Sequence, residues 1–349
     1  MRILKTIIAF FLKKIYRIRI VGIENYHKAG NRVLIIANHS SFIDPIILAS
    51  CLPDKLTFAV NTYVAKSWLL RMMSSVVDLF PMDPANPLSS KSLIRYLEQD
   101  KRAVIFPEGR ITVTGSLMKI YNGTGFIADK SGAEVLPIRI DGVQFSPFSR
   151  LKGRVKTRWF PPITVTILPP RKVSAGENVK GRARRLYAGK ILSDIMIEMM
   201  YKTSNTDKTL FQALVDARSI NGGKHLIIED VKRKPMNYDE LITASFVLGS
   251  ALSAVTHDKE SVGWLLPNMN SSMTAFFALQ AYGRVPAMLN YTVGASGMVS
   301  SCQAANIKTI ITSRQFVNLA QLQDVIDVLG KGIKIHYLED MAKQIGLRH

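Results

Sequence analysis

Short apolar runs alternate with helical patterns along the whole chain, and this alternation constrains its fold most strongly. Strands separated by helices are typical of α/β proteins, in which helices cover a mostly parallel sheet. In the first half, the predicted strands are Val33–Ala37, Leu56–Val60, Val76–Phe80, Ala103–Phe106, Val135–Ile140 and Thr164–Leu168. The predicted helices are Pro45–Cys51, Ser89–Glu98, Thr124–Ser131 and Asn178–Tyr201. The sequence therefore predicts an α/β fold with a central, mostly parallel sheet flanked by helices.

The same alternation continues in the second half, beyond a polar stretch at residues 202–207. The predicted elements there are strands His225–Asp230, Val262–Leu266, Val285–Leu289 and Lys308–Thr312, and helices 238–255 and Ser271–Tyr282. Residues 1–200 carry 31 Lys and Arg against 14 Asp and Glu, whereas residues 201–349 carry 15 against 12. We place a domain boundary near residue 204 and expect the first half to meet an acidic partner.

A net charge of +20 is compatible with nucleic acid or with an anionic lipid surface. A nucleic-acid binder needs basic stripes with exposed aromatic residues, or a recognition helix, and the best candidate is the run Lys180–Arg185. This run more readily faces water, lipid or an acidic carrier protein, so no nucleic acid is expected. The two cysteines, Cys51 and Cys302, cannot form a disulfide framework or a zinc site, which indicates a reducing compartment.

The N-terminal segment, residues 1–22, interleaves Lys and Arg with Ile, Leu and Phe. Its longest uncharged run, Thr6–Leu12, is far shorter than the roughly 20 apolar residues that span a bilayer. It has no small-residue cleavage site, so a signal peptide is not predicted. The pattern predicts a helix lying in a membrane interface. The alternative is a terminal helix that packs on the domain with its basic face in water.

His39 and Asp44 stand in one short segment after the predicted strand Val33–Ala37. Residues five apart on a helix point about 140° away from each other, so the two side chains cannot meet within one helix. They can meet if His39 lies on the turn leaving the strand and Asp44 opens the next helix. Pro45 supports this arrangement because it disfavours helical geometry at the preceding residue and is welcome in the first helical turn.

This pair predicts general-base chemistry. A neutral His39 would accept the proton of a hydroxyl that attacks a thioester, while Asp44 orients the ring and stabilises the imidazolium. The two serines between them, Ser40 and Ser41, are expected to form loop hydrogen bonds rather than to act as nucleophiles. The structural alternative is that His39 is an ordinary core histidine and Asp44 only a helix cap.

A second polar turn, Pro107-Glu108-Gly109-Arg110, follows the predicted strand Ala103–Phe106. Ligands of open α/β sheets bind outside the carboxyl ends of the strands. Gly109 permits a tight turn, and the planar guanidinium of Arg110 suits a phosphate. Glu108 is expected to hold Arg110 or to bind a polar group of the substrate. The alternative is a solvated ion pair of little consequence.

Together, these motifs resemble the glycerophospholipid acyltransferase family, whose members carry an Asn-His-x-Ser-x-x-Asp block followed by a Phe-Pro-Glu-Gly-Thr-Arg block. Asn38, His39, Ser41 and Asp44 match the first block, and Phe106–Gly109 matches the second. The resemblance covers about residues 20–170 and implies that Glu108, Gly109 and Arg110 bind the acceptor. Val135-Leu-Pro137-Ile138 resembles the family's later strand, so Pro137 is expected to line the acyl pocket.

Two departures from the family pattern concern phosphate contacts. Arg110 follows Gly109 directly, with Thr112 two residues later, and the stretch Leu79–Pro84 lacks the arginine of the family's intermediate block. These variants resemble the bifunctional branch in which a 2-acylglycerophosphoethanolamine acyltransferase is joined to an acyl-ACP synthetase, which loads acyl chains onto acyl carrier protein (ACP). The second half resembles the opening of an AMP-forming acyl-activating domain, and no Ser/Thr/Gly-rich ATP loop precedes His349. We therefore expect a truncated version without adenylation activity.

The resulting hypothesis has three segments: a membrane-interface segment at 1–22, an acyltransferase domain at 23–203 and an incomplete AMP-binding-like domain at 204–349. The chain is expected to transfer a fatty acyl group from acyl carrier protein or CoA to a lysophospholipid. The expected acceptor is 2-acylglycerophosphoethanolamine, and the alternatives are 1-acylglycerol-3-phosphate or a catalytically silent membrane-surface fragment. No metal or other cofactor is expected for acyl transfer. ATP with Mg²⁺ is expected to bind only if the missing half of the AMP-binding-like domain is supplied. The expected location is peripheral, on the cytoplasmic face of a bacterial inner membrane.

Overall fold

A computed structural model describes residues 10–62, 77–83, 86–151 and 153–346. The chain divides between Ser204 and Asn205 into two compact units. The strands of the first unit are β1 (Arg19–Val21), β2 (Val33–Ala37), β3 (Thr57–Asn61), β4 (Asp78–Met82), β5 (Arg102–Ile105), β6 (Glu134–Asp141), β7 (Thr164–Ile167) and β8 (Arg171–Lys172). Its helices are α1 (Ile23–Lys28), α2 (Asp44–Cys51), α3 (Pro87–Glu98), α4 (Asn122–Ser131) and α5 (Gly181–Lys202).

The eight strands form one sheet in the order β1-β7-β6-β2-β5-β3-β4, and β8 pairs with β6. The pairs β1/β7, β2/β6, β2/β5, β3/β5 and β3/β4 are parallel. Within the described residues, the pairs β6/β7 and β6/β8 are antiparallel. The predicted α/β class with a mostly parallel central sheet is therefore confirmed.

Strand β2 lies at the centre of this sheet, and all five of its residues are buried. Neighbouring side chains point to opposite faces, so Val33, Ile35 and Ala37 join one apolar cluster, whereas Leu34 and Ile36 join the other. Helix α2 covers the first face, and helices α3, α4 and α5 cover the second. Burial on both faces explains why β2 reads as a continuous apolar run rather than an alternating one.

Most predicted elements of the first unit begin and end within a few residues of the observed ones. The predicted strand Val33–Ala37 has the observed bounds, and the predicted helix Pro45–Cys51 starts one residue later than α2. Residue 76 of the predicted strand Val76–Phe80 lies outside the described residues, and the observed strand there is β4. Antiparallel pairing of β6 with β7 was not foreseen, because sheet order depends on contacts between distant residues.

The N-terminal segment is described only from residue 10, so the prediction for residues 1–9 lies outside the described part. Residues 10–15 are helical. Phe10 and Phe11 are more than half exposed, whereas Leu12 packs on the core and Tyr16 is buried. Across the described ranges, no helix is both long and apolar enough to cross a membrane.

The second unit has its own four-stranded parallel sheet in the order β12-β11-β13-β14 and a separate antiparallel pair, β9/β10. Its strands are β9 (Leu226–Ile228), β10 (Met236–Asn237), β11 (Ser261–Trp264), β12 (Val285–Met288), β13 (Thr309–Thr312) and β14 (Lys334–Tyr337). Its helices are α6 (Leu210–Asn221), α7 (Tyr238–Ser253), α8 (Asn270–Ala281), α9 (Gly294–Ala304), α10 (Arg314–Leu319), α11 (Gln323–Leu329) and α12 (Leu338–Gly346). The elements β10, β14, α6 and α9–α12 were not predicted from the sequence.

Candidate active site

The loop that carries His39 leaves the sheet at the carboxyl end of β2, next to β6. The side chain of Asn38 fixes this exit, because its amide nitrogen donates to the carbonyl oxygen of Ile140 (2.9 Å) and its oxygen accepts from the Ile140 N–H (2.8 Å). Asn38 is buried. Its side chain takes the place of a backbone partner of Ile140 where the regular pairing of β2 with β6 ends. The next residue, His39, therefore starts from a fixed backbone position.

His39 and Asp44 are brought together as the sequence predicted. The Nδ1 atom of His39 lies 2.9 Å from Oδ2 of Asp44, which is the first residue of helix α2 and is fully buried. The same Oδ2 atom accepts the backbone N–H groups of Ser40 (2.6 Å) and Ser41 (2.8 Å). One carboxylate oxygen thus fixes both the loop backbone and the imidazole ring.

This arrangement determines which ring nitrogen of His39 can take up a proton. Oδ2 of Asp44 already accepts two N–H groups, so it acts as an acceptor towards the ring and Nδ1 carries the hydrogen. The lone pair of Nε2 is left free for a substrate proton. The ring stacks on Phe106, with centroids 4.2 Å apart and an interplanar angle of 19°, and its side chain remains 18% exposed. The imidazole is therefore oriented but still reachable.

Glu108 joins the two motif loops rather than binding Arg110. Its Oε1 atom accepts the backbone N–H of His39 (2.8 Å), and its Oε2 atom accepts that of Met118 (2.9 Å). The residue is 2% exposed, and this burial raises the pKa of its carboxyl group, although both backbone N–H groups oppose the shift. Both oxygens of Glu108 thus hold backbone groups of the two loops, and its contact with the substrate stays a prediction. The backbone N–H of Thr112 adds a second link by donating to the carbonyl oxygen of His39 (2.8 Å).

Gly109 and Arg110 lie on the turn that follows β5. Gly109 has φ +64°, and a Cβ atom there would lie 3.2 Å from the ring of Tyr121, so both conformation and space favour glycine. Arg110 is exposed and makes no hydrogen bond or ion pair with any described residue. Its guanidinium is available to an anionic ligand at the edge of the sheet that also carries His39.

Pro137 lies elsewhere. It is buried in the interior of β6, opposite Ile36 of β2. It lines a cavity of about 40 Å³ together with Leu168, which follows β7, and Met199 of α5. This cavity is on the α5 side of the sheet, so the structure does not bring Pro137 together with His39. A role of Pro137 in lining the acyl pocket stays a prediction.

Several residues of the site were not assigned a role from the sequence. Phe106 stacks on the imidazole, Asn38 fixes the loop exit, and the hydroxyl oxygen of Ser146 lies 3.4 Å from that of Ser41. Asn38 and Phe106 belong to the two motif blocks, so the sequence did mark them as candidates for the site. No sequence feature marked Ser146. Among the described residues, no group of three or more His, Cys, Asp and Glu side chains is arranged to hold a metal ion.

Comparison with known proteins finds similar sequences among acyltransferases. Residues 17–141 match the Acyltransferase family model, which confirms the predicted resemblance over that segment. The chain is 31% identical over 132 residues to a chloroplastic 1-acyl-sn-glycerol-3-phosphate acyltransferase of Arabidopsis thaliana, and the match covers 36% of each protein. The chain thus spans about a third of the length of this relative. Resemblance to the bifunctional branch stays a prediction.

Two solved structures are also similar. The 1-acyl-sn-glycerophosphate acyltransferase of Thermotoga maritima shows 20% identity and a TM-score of 0.42, over 58% of this chain and 81% of that chain. An O-succinylbenzoate coenzyme A synthetase from Bacillus subtilis shows 13% identity and a TM-score of 0.33, over 38% of this chain and 27% of that chain.

Proposed function

We propose that this chain is an O-acyltransferase that moves a fatty acyl group from a thioester donor to the free hydroxyl of a lysophospholipid. The observation that carries the proposal is the His39–Asp44 pair, whose loop is joined through Glu108 to the turn that carries the exposed Arg110. A base and an anion-binding group are the two functions that acylation of a phosphate-bearing alcohol requires. The match of residues 17–141 to the Acyltransferase family supports this assignment.

The reaction needs a single proton carrier. The acceptor hydroxyl oxygen attacks the thioester carbonyl carbon while Nε2 of His39 takes the hydroxyl proton. Asp44 stabilises the imidazolium that forms. When the tetrahedral intermediate collapses, the C–S bond breaks and the leaving thiolate receives the proton from Nε2. An ester and a thiol result, the imidazole is neutral again, and no acyl-enzyme is needed because the thioester is already activated.

We assign 1-acylglycerol-3-phosphate as the acceptor, which was the alternative in the sequence analysis. The relative from Arabidopsis thaliana is named for this substrate. The exposed Arg110 guanidinium also fits a terminal phosphate monoester, which carries more negative charge than the phosphodiester of a phosphoethanolamine head group. The earlier preference for 2-acylglycerophosphoethanolamine rests only on the resemblance to the bifunctional branch.

The proposed partners follow from the charge of the chain. Residues 1–200 carry 31 Lys and Arg against 14 Asp and Glu, which favours an acidic acyl carrier protein as donor and an anionic membrane surface as support. CoA is the alternative donor. We place the enzyme on the cytoplasmic face of a bacterial inner membrane, held in part by residues 1–22. The second unit is proposed to be an acyl-activating-like domain.

An acceptor panel tests this function directly. The purified chain is assayed with a labelled acyl group carried as a thioester on acyl carrier protein or on CoA. The two acceptors, 1-acylglycerol-3-phosphate and 2-acylglycerophosphoethanolamine, are supplied in separate assays. We expect turnover with 1-acylglycerol-3-phosphate to exceed that with the phosphoethanolamine, because the terminal phosphate gains the stronger contact with Arg110. The reverse order would restore the phosphoethanolamine assignment. Absence of turnover with every pair would favour a silent membrane-surface protein.

Replacing Arg110 with alanine is expected to raise the KM for 1-acylglycerol-3-phosphate by about 10- to 150-fold, the effect of losing a charge-assisted hydrogen bond of about 1.5–3 kcal/mol. The KM for the acyl donor should change little. Steady-state kinetics with each substrate varied in turn measures the difference. Arg95→Ala, which removes an exposed arginine from helix α3, is the matched control. An unchanged acceptor KM in Arg110→Ala would remove the phosphate role of this side chain.

A further inference from the structure

The loop between β6 and β7, residues 142–163, combines positive charge with exposed aromatic side chains; we refer to it as the β6–β7 loop. No Asp or Glu occurs from residue 142 to residue 176. Every second residue from 150 to 158 is basic: Arg150, Lys152, Arg154, Lys156 and Arg158. Phe148, Trp159 and Phe160 are 41%, 68% and 51% exposed. Exposed aromatic side chains that cluster on one surface are typical of sites that bind a partner.

One part of the β6–β7 loop contacts both loops of the candidate site. The backbone N–H of Phe42, between His39 and Asp44, donates to the carbonyl oxygen of Phe148 (3.1 Å). The Arg150 guanidinium lies 5.7 Å from the centre of the Phe42 ring, which is itself 46% exposed. Arg154 donates a hydrogen bond to the carbonyl oxygen of Val113, beyond the Gly109–Arg110 turn. The charged and aromatic surface is therefore continuous with the rim of the site.

The end of the same loop contacts the N-terminal segment. The guanidinium of Arg17 donates to the carbonyl oxygen of Phe160 (2.8 Å), and the rings of Tyr16 and Phe160 meet edge to face at 5.5 Å. Immediately before these residues, Phe10 and Phe11 are exposed on the helical stretch 10–15. The exposed aromatic residues thus extend from the N-terminal helix, along the β6–β7 loop, to Phe42.

We propose that the β6–β7 loop is a membrane-docking surface for anionic lipid, which places the rim of the His39 site against the bilayer. Trp and Phe side chains favour the headgroup boundary, and neighbouring Lys and Arg are attracted to anionic head groups. An acidic protein would account for the basic residues but not for three exposed aromatic side chains along one loop. The proposal deepens the proposed function, on which it rests, because a lysophospholipid acceptor is presented at a membrane.

Binding is tested with the full chain and vesicles that contain no lysophospholipid, so that the result does not depend on turnover. Phosphatidylcholine vesicles are used with and without phosphatidylglycerol. The double variant Trp159→Ser/Phe160→Ser should lose about tenfold or more in affinity for the anionic vesicles. Arg150→Gln and Arg158→Gln should each lose about fivefold, and more at low salt. Tyr201→Ser, which removes an aromatic side chain that is also 68% exposed, is the control and should bind as wild type.

Insertion of the loop is read from Trp159 itself. In a background with Trp68→Phe and Trp264→Phe, the emission of Trp159 should shift to the blue on anionic vesicles and be quenched by brominated lipid. Unquenched emission, or unchanged co-sedimentation of Trp159→Ser/Phe160→Ser, would overturn the proposal. A shift caused by polyglutamate but not by vesicles would also overturn it and would point to an acidic protein.

Turnover separates this proposal from the function on which it rests. Trp159→Ser/Phe160→Ser should lose activity on vesicle-embedded acceptor but keep it on a short-chain acceptor that stays monomeric in solution. Equal loss on both acceptors would contradict a docking role. If the emission of Trp159 is quenched on vesicles but the wild-type chain acylates neither acceptor, the docking surface is supported and the proposed function is contradicted.

Discussion

Replacement of His39 with alanine is expected to lower the turnover of acyl transfer by about 10²–10⁴-fold, the usual contribution of a positioned general base. The acceptor KM should change far less, since the Arg110 turn is untouched. The loss follows from geometry: within the described site, only the imidazole has a free nitrogen held in place by a buried carboxylate. Turnover is measured with labelled thioester and 1-acylglycerol-3-phosphate under saturating conditions.

The variant should remain folded, which makes the measurement decisive. Without the imidazole, Oδ2 of Asp44 still accepts the N–H groups of Ser40 and Ser41. The backbone N–H of residue 39 still donates to Glu108, because that contact does not involve the side chain. His27→Ala removes an exposed histidine from helix α1 and serves as the control. Turnover of His39→Ala within a few-fold of wild type, with an unchanged circular dichroism spectrum, would contradict the proposed mechanism.

The central strand and the start of helix α2 could be predicted because local residues determine them. Five consecutive apolar residues mark β2, and Pro45 marks the first turn of α2. The approach of His39 to Asp44 follows from these two elements, so it was predictable as well. In the second unit, helix α6 was missed although Thr209 and Gln212 form a capping box, a signal that the sequence does contain.

The role of Glu108 could not be predicted, because its partners are backbone N–H groups. A sequence shows which side chains are charged, but not which main-chain donors lack a partner in the folded chain. The nearness of Glu108 to Arg110 in the sequence therefore suggested an ion pair. In the structure, the Glu108 carboxylate instead accepts the backbone N–H groups of His39 and Met118. The contact of Phe42 with Phe148 escaped prediction for the same reason, since it too runs through the backbone.

Substitution of Asp44 is expected to have the second large effect on turnover. Two substitutions should separate its action on the His39 ring from its hold on the loop backbone. Asp44→Ala removes the acceptor of the His39 ring together with that of two backbone N–H groups. Turnover should fall towards the upper end of about 10²–10⁴-fold, because the ring is no longer held in the productive tautomer. The variant should also be destabilised by about 1–3 kcal/mol for each buried N–H of Ser40 and Ser41 that is left unpaired.

Asp44→Asn should be milder for a reason specific to this site. A single oxygen, Oδ2, accepts all three hydrogen bonds, and Oδ1 has no partner within the described residues. An asparagine oxygen at the Oδ2 position can accept the same three donors, so the ring orientation and the loop are kept. Only the negative charge that stabilises the imidazolium is lost. Turnover should then fall by about 10²-fold, at the lower end of the range for a general base.

Turnover and thermal midpoint, measured together for both variants, decide between a catalytic and a purely structural Asp44. If the carboxylate only holds the loop backbone, Asp44→Asn should keep the turnover of wild type, since the amide oxygen still accepts the N–H groups of Ser40 and Ser41. If its charge serves the reaction, Asp44→Asn loses turnover with a smaller fall of the thermal midpoint than Asp44→Ala, whose loop N–H groups lose their acceptor. Asp194→Asn, which alters an exposed carboxylate on helix α5, should change neither. Equal loss of turnover in the two Asp44 variants would mean that asparagine does not keep the ring in place, and that one oxygen cannot serve all three donors without its charge.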